Sequence, residues 1–422
     1  MLRWINGSGR NGRLTTSTSR FFAVDLPRLF AVFNDPASWP MEAPERLMAI
    51  THDQLLSYSF DNDTRVEIRF ERVRTGLVRV NLVHDQLHDE NELAECQAYW
   101  SEILQDISDR LLCEPIFAAT ANGKINLFFK VGPLLENGYH QVASLYQAVD
   151  LVETVIAEPA ADWEVVVTGT IGAEHLAGVP TGQSNLVVKA AKATGDALRY
   201  ERVPKLRLTI HKAVPVAGGM GGGSADAAAA ILACESLWAT ELSAEDRHDV
   251  AASLGADVPF ALVGGAAIGV GTGHELEAVK QKSSLHWVLV PNDFGLSTPE
   301  VYRELDRIRA ERGQDPAAVK DAKVSSALVR ALKVGAPAEE IAPLLHNDLQ
   351  EAAVSLRPEL QRILDLGDEA MALIAMISGS GPTVALLARD ANDAIAIASR
   401  VTTFGFDAII TSSPAGAAQR VF

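Results

Sequence analysis

From Lys212 to Trp238 the chain reads KAVPVAGGMGGGSADAAAAILACESLW. An alternating, strand-like segment passes through Gly218, Gly219, Gly221, Gly222 and Gly223 into an Ala-rich helix. Glycines lack a Cβ, so such a backbone can approach a ligand closely and adopt positive φ. The free N–H groups that open a helix favour an anion, and Ser224 is expected to cap this one. The chemistry that follows is phosphate binding by Pro215, Gly218, Gly219, Met220, Gly221, Gly222, Gly223, Ser224 and Ala225. The spacing is neither that of a Walker loop nor that of a dinucleotide fingerprint. A glycine-rich connector that only permits close packing is the alternative.

Two charged residues stand out in apolar surroundings. Asp257 follows Gly255 and precedes Val258 and Pro259. It reads either as the cap of a new helix or as a reactive carboxylate, and once buried it needs a cation or hydrogen bonds. Lys124 interrupts the apolar run 117–131, as that cation or as a solvated strand edge. Asn126, two residues on, shares its strand face. Phosphoryl transfer to an alcohol needs alignment, cation support and a group to orient the hydroxyl, which a lysine, an aspartate and a glycine loop can supply.

The elements that must position these residues are mixed. Residues 1–16 are polar and Gly-rich, which predicts a disordered lead-in. Residues 17–24, 55–60, 65–72 and 77–83 read as strands, with Val66, Ile68 and Phe70 alternating with charges. Leu26, Leu29, Phe30 and Phe33 repeat at helical spacing, and no strand is expected between Trp39 and Leu55. Residues 90–112 form an amphipathic helix with Ala94, Ala98, Ile103, Leu104, Ile107 and Leu111 on one side. Further on, strands at 117–120, 125–131, 150–156, 163–168, 205–212, 286–291 and 407–412 alternate with helices at 185–197, 243–254 and 392–402. ISGSGPTVALLA reads as a strand, a turn and a strand.

With 422 residues, two or three domains are expected. A formal charge of −17 argues against nucleic acid or an anionic membrane as a partner. No apolar tract reaches the ~18 residues of a membrane span, and the N-terminus carries no apolar signal core. Cys96, Cys113 and Cys234 are widely spaced, which fits a reducing cytoplasm rather than a disulfide framework. His84 and His88 read as solvated loop residues.

PVAGGMGGGSADAA resembles the second motif of the galactokinase, homoserine kinase, mevalonate kinase and phosphomevalonate kinase (GHMP) superfamily. ATANGKINLFFKVGPLLENGYHQVASLYQAVDL is similar to a first motif, LGADVPFALVGGAAIGVGTGHEL to the catalytic segment, and ISGSGPTVALLA to a third motif. SNLVVKAA and HNDLQEAAVSLRPEL match intervening patterns, so the likeness spans residues 114–422. The resemblance is strongest to the members whose substrate bears a cytidine diphosphate group. It implies ATP-dependent phosphorylation of an alcohol, with Mg2+, in isoprenoid precursor synthesis. It makes Asp257 and Lys124 the catalytic pair, and Asn126, Tyr139, His140 and Tyr302 substrate-binding residues. Asn185 falls in the adenosine region, and Ser224 is the one metal ligand it offers. One departure is Asn122-Gly123 ahead of the lysine, where the family carries other pairs. Superfamily members acting on homoserine or mevalonate, which have no base to stack, and a non-catalytic nucleotide-binding protein are the competing readings.

The fold this implies is α+β. A two-lobed GHMP kinase has a ribosomal-protein-S5-like N-lobe, residues 114–283, and a ferredoxin-like C-lobe, residues 284–422. Residues 17–113 resemble a shortened START-like (polyketide cyclase/dehydrase) helix-grip domain, through FFAVDLPRLFAVFNDPASWP, TRVEIRFERV and AYWSEILQDISDRL. The ligand or partner of that domain is not readable.

Overall fold

A computed structural model describes residues 4–8, 13–41, 43–74, 77–111, 117–136, 138–216, 218–271, 275–292 and 294–421. The chain divides into two compact units, residues 1–118 with 420–422, and residues 119–419. The expected boundary at 113/114 and Cys113 lie outside the described residues.

The first unit is an antiparallel sheet in the order Ile5–Ser8, Leu14–Phe22, Leu77–Leu87, Arg65–Arg74, Leu55–Ser59, Arg46–Thr51. Two of these strands correct the sequence reading. Within the supposed disordered lead-in, Ile5–Ser8 pairs with Leu14–Phe22, and the Thr16 hydroxyl donates to Asn6 Oδ1 at 2.8 Å. Polar residues here serve a two-stranded ladder, which composition alone does not reveal. The second is Arg46–Thr51, an edge strand exposed on every residue, so its apolar side chains show no burial alternation to read.

Helix Glu90–Arg110 is capped by Asp89, whose carboxylate accepts from the N–H groups of Asn91 and Glu92. Its buried face is Cys96, Trp100, Ile103, Leu104 and Ile107, whereas Ala94 and Ala98 are exposed. The large side chains therefore decide the helix rotation. His84 is another correction: it is buried in its strand, not solvated. Trp100 Nε1 donates to its Nδ1 at 2.9 Å and Thr64 Oγ1 lies 2.8 Å from its Nε2. Burial pulls its pKa down to about 4. His88 is exposed beside Glu92.

In the second unit, one sheet runs Glu275–Ala278, Ala266–Val270, His140–Pro159, Leu206–Lys212, Glu164–Gly169. Strand Phe117–Leu134 pairs with His140–Pro159 and with the short strand His346–Asn347. Residues on both sides of the expected 283/284 lobe boundary thus share this sheet. Helices Leu186–Ala197 and Gly222–Leu237 cover one face, packing Val187, Val188, Ala190 and the alanines Ala227–Ala230 against Val155, Leu208 and Ile210. Small side chains let helix and sheet come close, so Gly222–Leu237 is buried almost all round.

A second, fully antiparallel sheet has the order Ile374–Ile377, Val384–Ala388, Leu285–Val290, Ile409–Ser413. Helices Glu359–Glu369 and Ala391–Thr403 bury Leu360, Ile363, Ile397 and Val401 against it. The two sheets with their helices give the α+β architecture expected of residues 114–422.

Candidate active site

Strand Phe117–Leu134 places Lys124 and Asn126 side by side on one face. Lys124 Nζ donates to Asn126 Oδ1 at 2.8 Å and to the carbonyl oxygen of Gly219 at 2.8 Å. Its nitrogen lies 3.7 Å from Asp257 Oδ2, with the lysine side chain 9% exposed and the aspartate 31%. An ammonium so far from water needs these three acceptors. Asp257 stands at the start of helix Val258–Val263 but makes no side-chain cap bond, so its carboxylate is turned to the lysine instead of to its own helix.

Gly221, at φ 68°, is the N-cap of helix Gly222–Leu237, which corrects the expectation that Ser224 caps it. A left-handed residue is required there, and a serine would be strained in that conformation. Ser224 sits in the first turn, where its hydroxyl and the N–H groups of Gly222, Gly223 and Ser224 are left over. Gly219 is also left-handed, at φ 72°. A Cβ on Gly221 would come 3.2 Å from Lys124 Cγ, so the loop and the lysine are fitted to each other.

Lys124, Asn126, Tyr146, Gly219, Gly221, Ser224, Asp257, Thr298, Tyr302, Gly379 and Ser380 line one cavity of about 350 Å³. The turn 378–381 closes it from the other side: Ser378 Oγ donates to the Gly219 carbonyl at 3.3 Å, and Gly381 N–H to the Ser378 carbonyl. Burial, then the Asp257 charge, push the Tyr302 phenol above its usual range.

His140 is buried and stacks on Tyr302, ring centroids 5.2 Å apart at 25°. Its Nε2 lies 2.9 Å from Asp306 Oδ1. Tyr139 beside it is 67% exposed. Asn185 is not among the cavity's lining residues. It caps helix Leu186–Ala197 by accepting from Val187 N–H at 2.9 Å, and its amide donates to the Pro180 carbonyl.

Sequence reasoning missed several residues here. Ser144 and Tyr146, on strand His140–Pro159, and Asp306 touch the singled-out residues directly. A buried ion cluster lies under the glycine loop, with Lys212 Nζ 2.6 Å from Glu153 Oε1 and 2.7 Å from Asp226 Oδ2. Burial and the neighbouring Asp226 push Glu153 up to about 8. Burial alone would lower Lys212, but Asp226 and Glu153 outweigh it and raise its pKa. Strand alternation carries the signal for Ser144 and Tyr146; nothing in sequence joins Glu153 to Asp226, 73 positions later. Among the described residues, no group of three or more His, Cys, Asp or Glu could hold a metal ion, and no helix is long and apolar enough to cross a membrane.

Residues 185–265 match the GHMP kinases N terminal domain, and residues 328–407 match the GHMP kinases C terminal domain. A 4-diphosphocytidyl-2-C-methyl-D-erythritol kinase of Leifsonia xyli subsp. xyli is 48% identical over 276 residues, covering 65% of this chain and 89% of the relative. One of Paenarthrobacter aurescens is 44% identical over 303 residues, covering 71% of this chain and 94% of the relative. The crystal structure of a 4-(cytidine 5'-diphospho)-2C-methyl-D-erythritol kinase superposes with a TM-score of 0.57 at 26% identity, over 71% of this chain and 100% of that one. The glycine cradle, the lysine–aspartate pair and these likenesses point one way: the chain belongs to the GHMP kinases.

Proposed function

We propose that the chain transfers the γ-phosphoryl group of ATP to the 2-hydroxyl of 4-diphosphocytidyl-2-C-methyl-D-erythritol, giving ADP and the 2-phosphate. The observation that carries this is the Lys124–Asp257 pair, 3.7 Å apart, facing the cavity that the glycine loop also lines. The substrate class comes from the relatives, which are named for it.

In this reading the hydroxyl of the substrate donates its hydrogen bond to Asp257, which takes the proton as the oxygen attacks the γ-phosphorus. Lys124 holds the carboxylate in place and offsets negative charge on the transferring group. The leftover N–H groups of Gly222, Gly223 and Ser224 receive the phosphate oxygens of ATP. Asn126 fixes Lys124. His140, Tyr302 and Tyr139 would recognise the cytosine, since a flat base needs aromatic faces and a hydrogen-bonding edge. Homoserine- or mevalonate-type alcohols have no base for these rings.

Magnesium would be held at the Ser224 hydroxyl, which lines the cavity, and would neutralise phosphate charge there. A cytoplasmic setting belongs to the same proposal, supported by the free buried thiols Cys96 and Cys234.

The test is ADP release by the purified protein with a panel of alcohols: the cytidine-bearing erythritol, homoserine and mevalonate. Turnover on the first alone, abolished by Asp257→Ala, is the expected result. Turnover that survives Asp257→Ala would refute the mechanism, and preference for mevalonate or homoserine would refute the substrate.

A further inference from the structure

Beside the cavity lies a set of polar side chains with almost no access to water. Ser144 is 0% exposed, Asn126 2% and Tyr146 3%, so their polar atoms must satisfy one another. An ammonium can only donate, so Lys124 gives a hydrogen to Asn126 Oδ1. That leaves the Asn126 amide nitrogen as the donor to Ser144 Oγ, at 2.7 Å. The Ser144 hydroxyl has one hydrogen left and Tyr146 as its neighbour, and the Tyr146 phenol in turn interacts with the Asp257 carboxylate. On its other side Asp257 pairs with Lys124, 3.7 Å away.

We propose that Ser144 and Tyr146 are positioning residues for Asp257, the last links of a hydrogen-bonded chain that starts at Lys124, passes through Asn126 and ends on the Asp257 carboxylate. The chain is written into two i, i+2 pairs, Lys124 with Asn126 and Ser144 with Tyr146, on strands that pair with each other. Burial, then the Asp257 charge, push the Tyr146 phenol far above its usual pKa, so the proton it donates stays on it. The Tyr146 ring also stacks on Phe260, centroids 5.1 Å apart, in the short helix that Asp257 begins. The tyrosine thereby holds both the carboxylate and the helix bearing it, and stops the carboxylate from rotating away from the acceptor hydroxyl. A group that acts by orienting another affects the chemical step more than ground-state binding.

This rests on the phosphoryl-transfer reading only for its kinetic consequence. Tyr146→Phe keeps the aromatic stack and removes one hydroxyl; Ser144→Ala breaks the chain one link earlier. Each is expected to lower kcat about tenfold, the worth of a hydrogen bond to a charged group, with KM for ATP and for the alcohol nearly unchanged. Infrared difference spectra of wild type against Tyr146→Phe, which need no substrate, should show a shifted carboxylate band that vanishes in an Asp257→Asn background. Unchanged kcat in an active enzyme, or no carboxylate band in the difference spectrum, would overturn the proposal. A wild type inactive on the cytidine-bearing alcohol would count against the function alone, and the infrared result would still decide whether Tyr146 holds Asp257.

Discussion

The carbonyl oxygen of Ser378 lies so close to Gly219 that a Cβ on the glycine would sit 2.4 Å from it. Two loops 159 residues apart in sequence thus meet backbone to backbone at the cavity mouth. Gly219 also has φ 72°, which costs a non-glycine residue about 1 kcal/mol before any collision. Gly219→Ala should push the loops apart, displace the carbonyl that receives Lys124, and lower kcat/KM for ATP by about tenfold or more. Steady-state kinetics with ATP varied, beside calorimetric ATP binding, measures it; an alanine variant with wild-type kinetics would contradict the fitted approach.

Asp306 holds His140, and if the ring recognises the substrate as proposed, the contact bears on the alcohol and not on ATP. With its Nε2 facing a carboxylate, the imidazole turns Nδ1 to whatever lies beyond, and its plane is held parallel to Tyr302. Asp306→Ala should free the ring and raise KM for the cytidine-bearing alcohol several-fold, leaving KM for ATP and kcat close to wild type. An equal rise in both KM values would instead mean that Asp306 supports the whole cavity.

Much of this arrangement is legible in the sequence. The glycine run between strand and helix marks a loop that lines the cavity, and Lys124 and Asn126 reveal a shared face by being two apart. The cap was misread because serine is the commoner cap residue, and only the left-handed backbone at Gly221 moves the helix start forward. Arg46–Thr51 escaped because an edge strand exposed throughout has no alternation. His84 reads as solvated because acids surround it in sequence, while its strand turns it toward Trp100. Asp306, Glu153 and Asp226 were invisible for a different reason: each gains its meaning from a partner far along the chain, and pairing of that kind follows from tertiary packing.

Asn347 ties the turn 378–381 to the sheet that carries Lys124. Its amide nitrogen donates to the carbonyls of Ile377 and Gly379, both at 2.8 Å, while its Oδ1 accepts from Leu349 N–H at 3.0 Å. Gly379 borders the cavity, and a Cβ there would lie 3.0 Å from Asn126 Oδ1. Asn347→Ala strands two carbonyls and should cost about 1–3 kcal/mol of stability. Urea unfolding reads that loss. Kinetics should show lower turnover below saturating denaturation, because turn 378–381 loses its anchor; Asn347→Asp, which keeps the acceptor but not the donor, should resemble the alanine variant.

The ion cluster beneath the loop gives the protein a pH-dependent stability of predictable sign. Lys212 faces two carboxylates, so one of them is in excess, and Glu153, raised from 4.5 to about 8 by burial and by Asp226, keeps a proton in the folded state that the unfolded chain releases near pH 4.5. The folded state therefore binds more protons between those values. The stability this contributes is complete below about pH 4.5, declines as pH rises, and is gone above about pH 8. Glu153→Gln, a permanently neutral side chain of the same shape, has no proton to lose. Thermal midpoints of both proteins at pH 6 and pH 8 should show the wild type losing ground to the glutamine variant as pH rises. Parallel changes in the two would mean that Glu153 is ionised in the fold throughout, and that Asp226, whose Oδ1 has no partner, holds the proton instead; Asp226→Asn should then show the dependence that Glu153→Gln lacks.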